Sequence, residues 1–139
     1  MNERKVLAEL NRLGALIINR KWSALERRLS GWLRERENLK EDILDFIHEM
    51  RQEWDLTRSS WPVAVEPDIN PTDELDELRE YFSKAVDPAL NNANFAAWGC
   101  IQLLADEEDG LDAFADIWVL LYRDANELKI GYYEIESPD

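Results

Sequence analysis

The sequence predicts an α+β fold, with N-terminal helices packed on a curved, mainly antiparallel sheet that ends in a three-stranded meander. Three observations predict it. Apolar residues recur at helical spacing through the first part of the chain, apolar and polar residues alternate at strand spacing between Trp98 and Glu136, and turn residues interrupt that last stretch twice.

Val6, Leu10, Leu13 and Ile17 recur at three and four residues, which predicts a helix from Asn2 to Asn19 with one apolar face. A second helix is expected through Trp22, Leu25, Leu29, Trp32 and Leu33, with Arg27, Arg28 and Arg34 on a solvated side. Asn38 followed by Glu41 has capping-box spacing and opens a third helix through Ile43, Phe46, Ile47, Met50 and Trp54, leaving His48 wet. Trp61 to Val65 then reads as a short strand. Pro62 has no amide hydrogen, so that strand lies at an edge or begins there. Asn70-Pro71 opens a fourth helix, with Leu75, Leu78, Phe82, Ala85 and Val86 turned inward and Asp87-Pro88 as its stop.

The meander begins with the apolar run Trp98 to Leu104 and turns at Asp109-Gly110, a pair that accepts positive φ. In Ala113 to Tyr122, Phe114, Asp116, Trp118, Leu120 and Tyr122 point one way, and the small and aliphatic residues between them point the other. Both faces are mainly apolar, so this strand is central. Arg123 to Glu127 closes the second hairpin, with Asn126 suited to a left-handed residue. Leu128 to Glu136 changes parity around Gly131, which predicts a bulge there.

With 139 residues, 45% of them hydrophobic, the chain has the material for one core, so residues 1–139 are expected to form a single domain. Cys100 is the only cysteine, which excludes an intrachain disulfide and favours a reducing compartment. The start of the chain lacks the apolar segment of a signal peptide, and no run approaches the ~20 apolar residues of a membrane span. A cytoplasmic protein, monomer or homodimer, is the expectation.

Charge is unevenly distributed. Met1 to Ser60 holds 12 Lys and Arg against 11 Asp and Glu, a net of +1; Trp61 to Asp139 holds 4 against 19, a net of −15. An acidic surface repels nucleic acid and anionic membrane and speeds encounter with basic proteins. The predicted fourth helix concentrates that charge, because Asp73, Asp76, Glu77 and Glu80 form one stripe whose like-charge i,i+4 pairs each cost roughly 0.2–0.5 kcal/mol. Asp106, Glu107, Glu108 and Asp109 at a hairpin tip offer a second contact point. Solvation alone is the competing explanation for both.

Chemistry is harder to find. His48-Glu49 opens like the helical zinc motif, but Gln52 stands where a second histidine is required, so neither a metal site nor a catalytic residue is assigned and no cofactor is expected. A carboxylate between two large aromatics, Asp116 beside Phe114 and Trp118, is either a buried acid paired with a neighbouring strand or helix, or part of a face that lines a pocket, meets a partner or is only partly covered; Tyr122 and Tyr132 are further candidates for such a pocket.

Lys21-Trp22-Ser23-Ala24-Leu25, the Trp98 strand and the long strand from Phe114 to Tyr122 followed by Leu128 to Ile135 give the chain a pattern that resembles the nuclear transport factor 2-like superfamily. That resemblance implies a cone-shaped α+β domain. It admits isomerase-like enzymes, ligand-binding domains and bacterial immunity proteins, among which fold does not choose. The acidic half and the missing catalytic set favour an immunity protein that binds and neutralises a basic, toxin-like domain. The alternative is a small enzyme or ligand-binding cone whose pocket contains Asp116 and Trp118.

Overall fold

The computed structural model describes residues 3–53, 61–70, 74–82, 84–107 and 110–138. Helix α1 (Glu3–Ile18) buries the predicted stripe of Val6, Leu10, Leu13 and Ile17. Gly14 lets it approach the sheet closely, since a Cβ there would sit 2.5 Å from Val65 Cγ2.

The expected second helix is two short ones, α2 (Trp22–Glu26) and α3 (Gly31–Arg36). Between them Leu29 makes a parallel bridge to Ile130, the Ser30 N–H donates to the Ile130 carbonyl at 2.9 Å, and the Ile130 N–H donates to the Arg28 carbonyl at 2.9 Å. Pairing with the sheet therefore overrides the continuous helical periodicity. Ser30 then caps α3, its Oγ accepting from the Leu33 N–H at 3.1 Å. Helix α4 (Leu39–Glu53) begins where Asn38 Oδ1 accepts from the Glu41 N–H at 3.2 Å, as the capping spacing predicts. Trp54, assigned to the same helix, lies outside the described residues.

Among the described residues four antiparallel strands form the sheet in simple order: β1 (Ala64–Ile69), β2 (Phe95–Glu107), β3 (Gly110–Asp124) and β4 (Glu127–Glu136). The α+β class and the consecutive meander agree with the expectation. The edge strand starts later than Trp61 to Val65 suggests, and Pro67, within it, is the proline that its edge position tolerates. Gly110 has φ +123°, as the Asp-Gly turn requires. In the next hairpin the left-handed residue is Ala125, φ 56°, and not Asn126. The bulge at Gly131 is present, where β4 carries one more residue than β3 between the Leu121–Ile130 and Leu120–Tyr132 pairs.

Helices α1 to α4 cover one face of the sheet, packing on Ala97, Ile101 and Leu103 of β2, Ala115, Ile117, Val119 and Leu121 of β3, and Ile130 and Tyr133 of β4. Phe114 joins this same core. A register shift between Leu103 and Leu104 makes Phe114 the extra residue of β3, so its side chain leaves the Asp116 and Trp118 face that strict alternation assigns to it.

The other face is divided. Its half nearer the β3–β4 turn packs Trp98, Leu120, Tyr122 and Tyr132 against Leu75 and Leu78 of a short helix, α5 (Leu75–Arg79), and against Phe82, Val86 and Leu90. This helix is much shorter than the predicted fourth helix, and Glu74 stands at its N-cap in place of Asn70. Ala85, expected inward, is exposed. A tethered loop replaces the missing turns. Buried Asp87 holds it, donating its N–H to the Gly131 carbonyl at 3.1 Å and accepting from the Ala89 N–H at 2.8 Å and the Tyr122 hydroxyl at 3.2 Å.

Candidate functional site

Opposite residues of paired antiparallel strands share a face, so the register determines what the remaining half of that face displays. One row across the four strands is Glu66, Gln102, Asp116 and Glu136; the next is Asp68, Cys100, Trp118 and Glu134. Glu66, Asp68 and Glu136 are exposed, while Gln102, Asp116, Trp118 and Glu134 are half-buried. Five carboxylates thus stand on two rows that contain no Lys or Arg. Among the described residues, none of Glu66, Asp68, Asp116 and Glu136 enters an ion pair.

A cavity of about 440 Å³ opens here, lined by Glu66, Pro67, Asp68, Cys100, Gln102, Asp116 and Trp118. The Gln102 amide donates from Nε2 to Asp116 Oδ1 at 2.9 Å, so this carboxylate is paired with a neighbouring strand and also lines a pocket. Trp118 stacks on Trp98, with ring centroids 5.4 Å apart. Its indole Nε1 is buried and finds no acceptor among the described residues. An unsatisfied buried donor is uncommon and costs about 1–3 kcal/mol.

The field of this face registers on Cys100. Burial first, and then the charges of Asp116, Asp68 and Glu136, push its thiol up to about 12. Such a thiol stays protonated and is a poor nucleophile.

The residues expected to share a pocket are separated. Asp116 and Trp118 line the cavity, whereas Tyr122 and Tyr132 are buried in the half that α5 covers. Tyr122 gives its hydroxyl hydrogen to Asp87, and burial together with that carboxylate raises its phenol to about 12. Tyr132 stacks on Phe82 at 4.5 Å and donates to Glu134. Among the described residues no phenol joins Asp116 in the lining of the cavity. Nor does any group of three or more His, Cys, Asp or Glu among the described residues have an arrangement fit for a metal.

Of the acids expected to touch a partner, Asp76, Glu77 and Glu80 are exposed on α5 and at its C-cap. Helix α5 lies on the same side of the sheet as the open carboxylate rows, because its inward residues pack on Trp98, Leu120 and Tyr132. Asp106 is exposed near the end of β2, and Glu107 pairs through its backbone with Gly110. Asp73, Glu108 and Asp109 lie outside the described residues.

The sequence reading missed Glu66, Asp68, Glu134 and Glu136. A signal was present in each case, since Val65-Glu66-Pro67-Asp68-Ile69 and Glu134-Ile135-Glu136 alternate with period two. No protein-family profile, curated protein or solved structure matches this chain at a significant level. Among the described residues no helix is long and apolar enough to cross a membrane.

Proposed function

We propose that the chain is a protein-binding module for a basic partner, most specifically an immunity protein that covers and neutralises a basic toxin domain. In this proposal it belongs with the immunity proteins among the nuclear transport factor 2-like domains that its sequence resembles. One observation carries the reading: the two cross-strand rows with five carboxylates and no cation beside Trp118. Clustered like charge weakens the free protein and is neutralised when a cationic surface docks. Trp118 adds what acids alone lack, a large aromatic surface of the type that anchors interfaces. Asp76, Glu77 and Glu80 extend the negative surface on the same side, and Tyr81, 78% exposed, stands beside them.

The test starts with recovery of a stoichiometric basic partner from the source cell, including the product of the adjacent reading frame. Its affinity is then measured for the chain carrying Glu66→Lys, Asp68→Lys and Glu136→Lys. Loss of at least about tenfold, with a steeper loss at low salt, is expected from removing matched charge. Unchanged affinity removes the open face from the interface, and the same reversal at Asp76, Glu77 and Glu80 then tests the helix.

A small-ligand reading has its own support in the cavity of about 440 Å³ and in the unsatisfied Trp118 Nε1. It requires Asp116→Asn to abolish ligand uptake or turnover while leaving partner affinity intact.

A further inference from the structure

Each edge of the sheet offers a row of backbone groups to any strand that arrives, and proteins ordinarily blunt such edges. On β1 the blunting residue is Pro67. The Asn70 N–H donates to the Trp98 carbonyl at 2.8 Å, so even-numbered residues of β1 face β2 and Val65, Pro67 and Ile69 face outward. A proline in the middle of that outward series leaves it without a donor.

The β4 edge is treated differently. Ile130 directs both its backbone groups outward, to Arg28 and Ser30, and Gly131 accepts from Asp87. Beyond the bulge no described residue continues this outward pairing. Trp98 faces β1, so alternation turns Gly99 toward β3, Val119 toward β2 and Tyr133, opposite Val119, away from the sheet. Ile135 follows with the same sense. Among the described residues, neither Tyr133 nor Ile135 has a backbone partner on its outer side.

A groove of about 440 Å³ runs beside this open stretch, between β4 and helix α4. Phe46 and Ile135 give it an apolar strip, and Asp42, Asp45 and Glu49 of α4 line the helix side. Among the described residues Lys84 is the one cation of the lining, and it is paired with Glu37 at 3.3 Å.

We infer that the outer edge of β4 at Tyr133 to Ile135 receives an extended basic segment of another protein, which adds to the sheet as a fifth strand. Backbone hydrogen bonds to Tyr133 and Ile135 supply register, and alternate Lys or Arg side chains meet the α4 carboxylates. Charge selects this occupant over a second copy. Pairing two β4 edges would bring the Glu134 and Glu136 side chains of both copies together, whereas a strand with its cations on the α4 side sets uncharged side chains beside them. The inference extends the basic-partner reading to a second surface and stands or falls separately from it.

The test uses the full chain, labelled for amide-resolved hydrogen exchange, and an octapeptide of alternating lysine and valine with blocked ends. Saturating peptide is expected to slow exchange at Tyr133 and Ile135 by about tenfold or more, with Val65 and Ile69 on the opposite edge unchanged. A peptide methylated on alternate backbone nitrogens keeps the charge and loses the donors, and it should give no protection. Ile135→Pro should abolish the effect in the folded protein; if that variant does not fold, the methylated peptide decides. Unchanged exchange at Tyr133 and Ile135, equal protection by the methylated peptide, or protection that rises with protein concentration without peptide would each overturn the inference. The chain reversed at Glu66 and Asp68 alone, both on the opposite edge strand, should retain the protection, which separates this outcome from the fate of the open face.

Discussion

The indole of Trp118 lies on that of Trp98, their planes only 23° from parallel, so one aromatic pair joins the half of the sheet that α5 covers to the half that displays carboxylates. The stack gives Trp118 a fixed orientation and leaves its Nε1 buried without an acceptor. Packing and polar satisfaction conflict at this residue. Trp118→Phe removes the unsatisfied donor and keeps a ring on Trp98, and it should change stability by less than about 1 kcal/mol. Trp118→Ala removes the ring as well and should cost about 2–3 kcal/mol, below the full range for a core aromatic because the site is only half-buried. Urea unfolding midpoints of the two variants separate these outcomes.

Asp116 and Glu136 sit directly opposite each other on β3 and β4, with like charge and no cation between them. Such a pair is destabilising by roughly 0.2–1 kcal/mol, so Glu136→Lys should raise the unfolding midpoint. The same substitution should weaken association with a basic partner. A variant that is more stable and binds less well is the signature of charge retained for contact, and calorimetric unfolding beside a binding titration shows both.

Much of this arrangement was legible in the residues. The meander, the bulge at Gly131, the positive φ of Gly110 and the core stripe of α1 follow from period and turn chemistry, which are local. What failed was decided at long range. Leu29 sits at perfect helical spacing from Leu25 and Leu33, yet Ile130 captures it as a bridge partner. Phe114 alternates cleanly with Asp116, yet a register shift against β2 turns it into the helix-side core. The carboxylate rows were hidden for a related reason. Each acid is visible in its own strand, but neighbours such as Glu66 and Asp116 are 50 positions apart, and only the register places Gln102 between them.

Gly14 of α1 packs against Val65 of β1 with no room for a side chain, and Gly14→Ala puts a Cβ 2.5 Å from Val65 Cγ2. Alanine favours the helix, so propensity alone predicts a gain. Overpacking wins here because Val65 is branched and stiff, and a net loss of roughly 1–3 kcal/mol is expected. Gly14→Ala combined with Val65→Ala should recover part of it, and a double-mutant cycle by urea unfolding measures the coupling.

Stability should also fall at high pH for an identifiable reason. Cys100, ordinarily near 9.0, is pushed up to about 12, and Tyr122, ordinarily near 10.0, to about 12. Both are neutral when protonated, and burial followed by nearby carboxylates disfavours their anions in the folded state. A raised folded value means that the unfolded chain releases its proton first. The contribution is therefore complete below about pH 9 and is lost as pH climbs through the folded values near 12. Tyr122→Phe removes the upper part of this dependence, and because Asp87 then loses one donor it should also cost about 1–2 kcal/mol at neutral pH. Cys100→Ala should remove the lower part, which begins near the unfolded thiol. Urea midpoints measured from neutral to strongly alkaline pH for the parent and both variants test the assignment; a decline of equal size in all three would place its origin elsewhere.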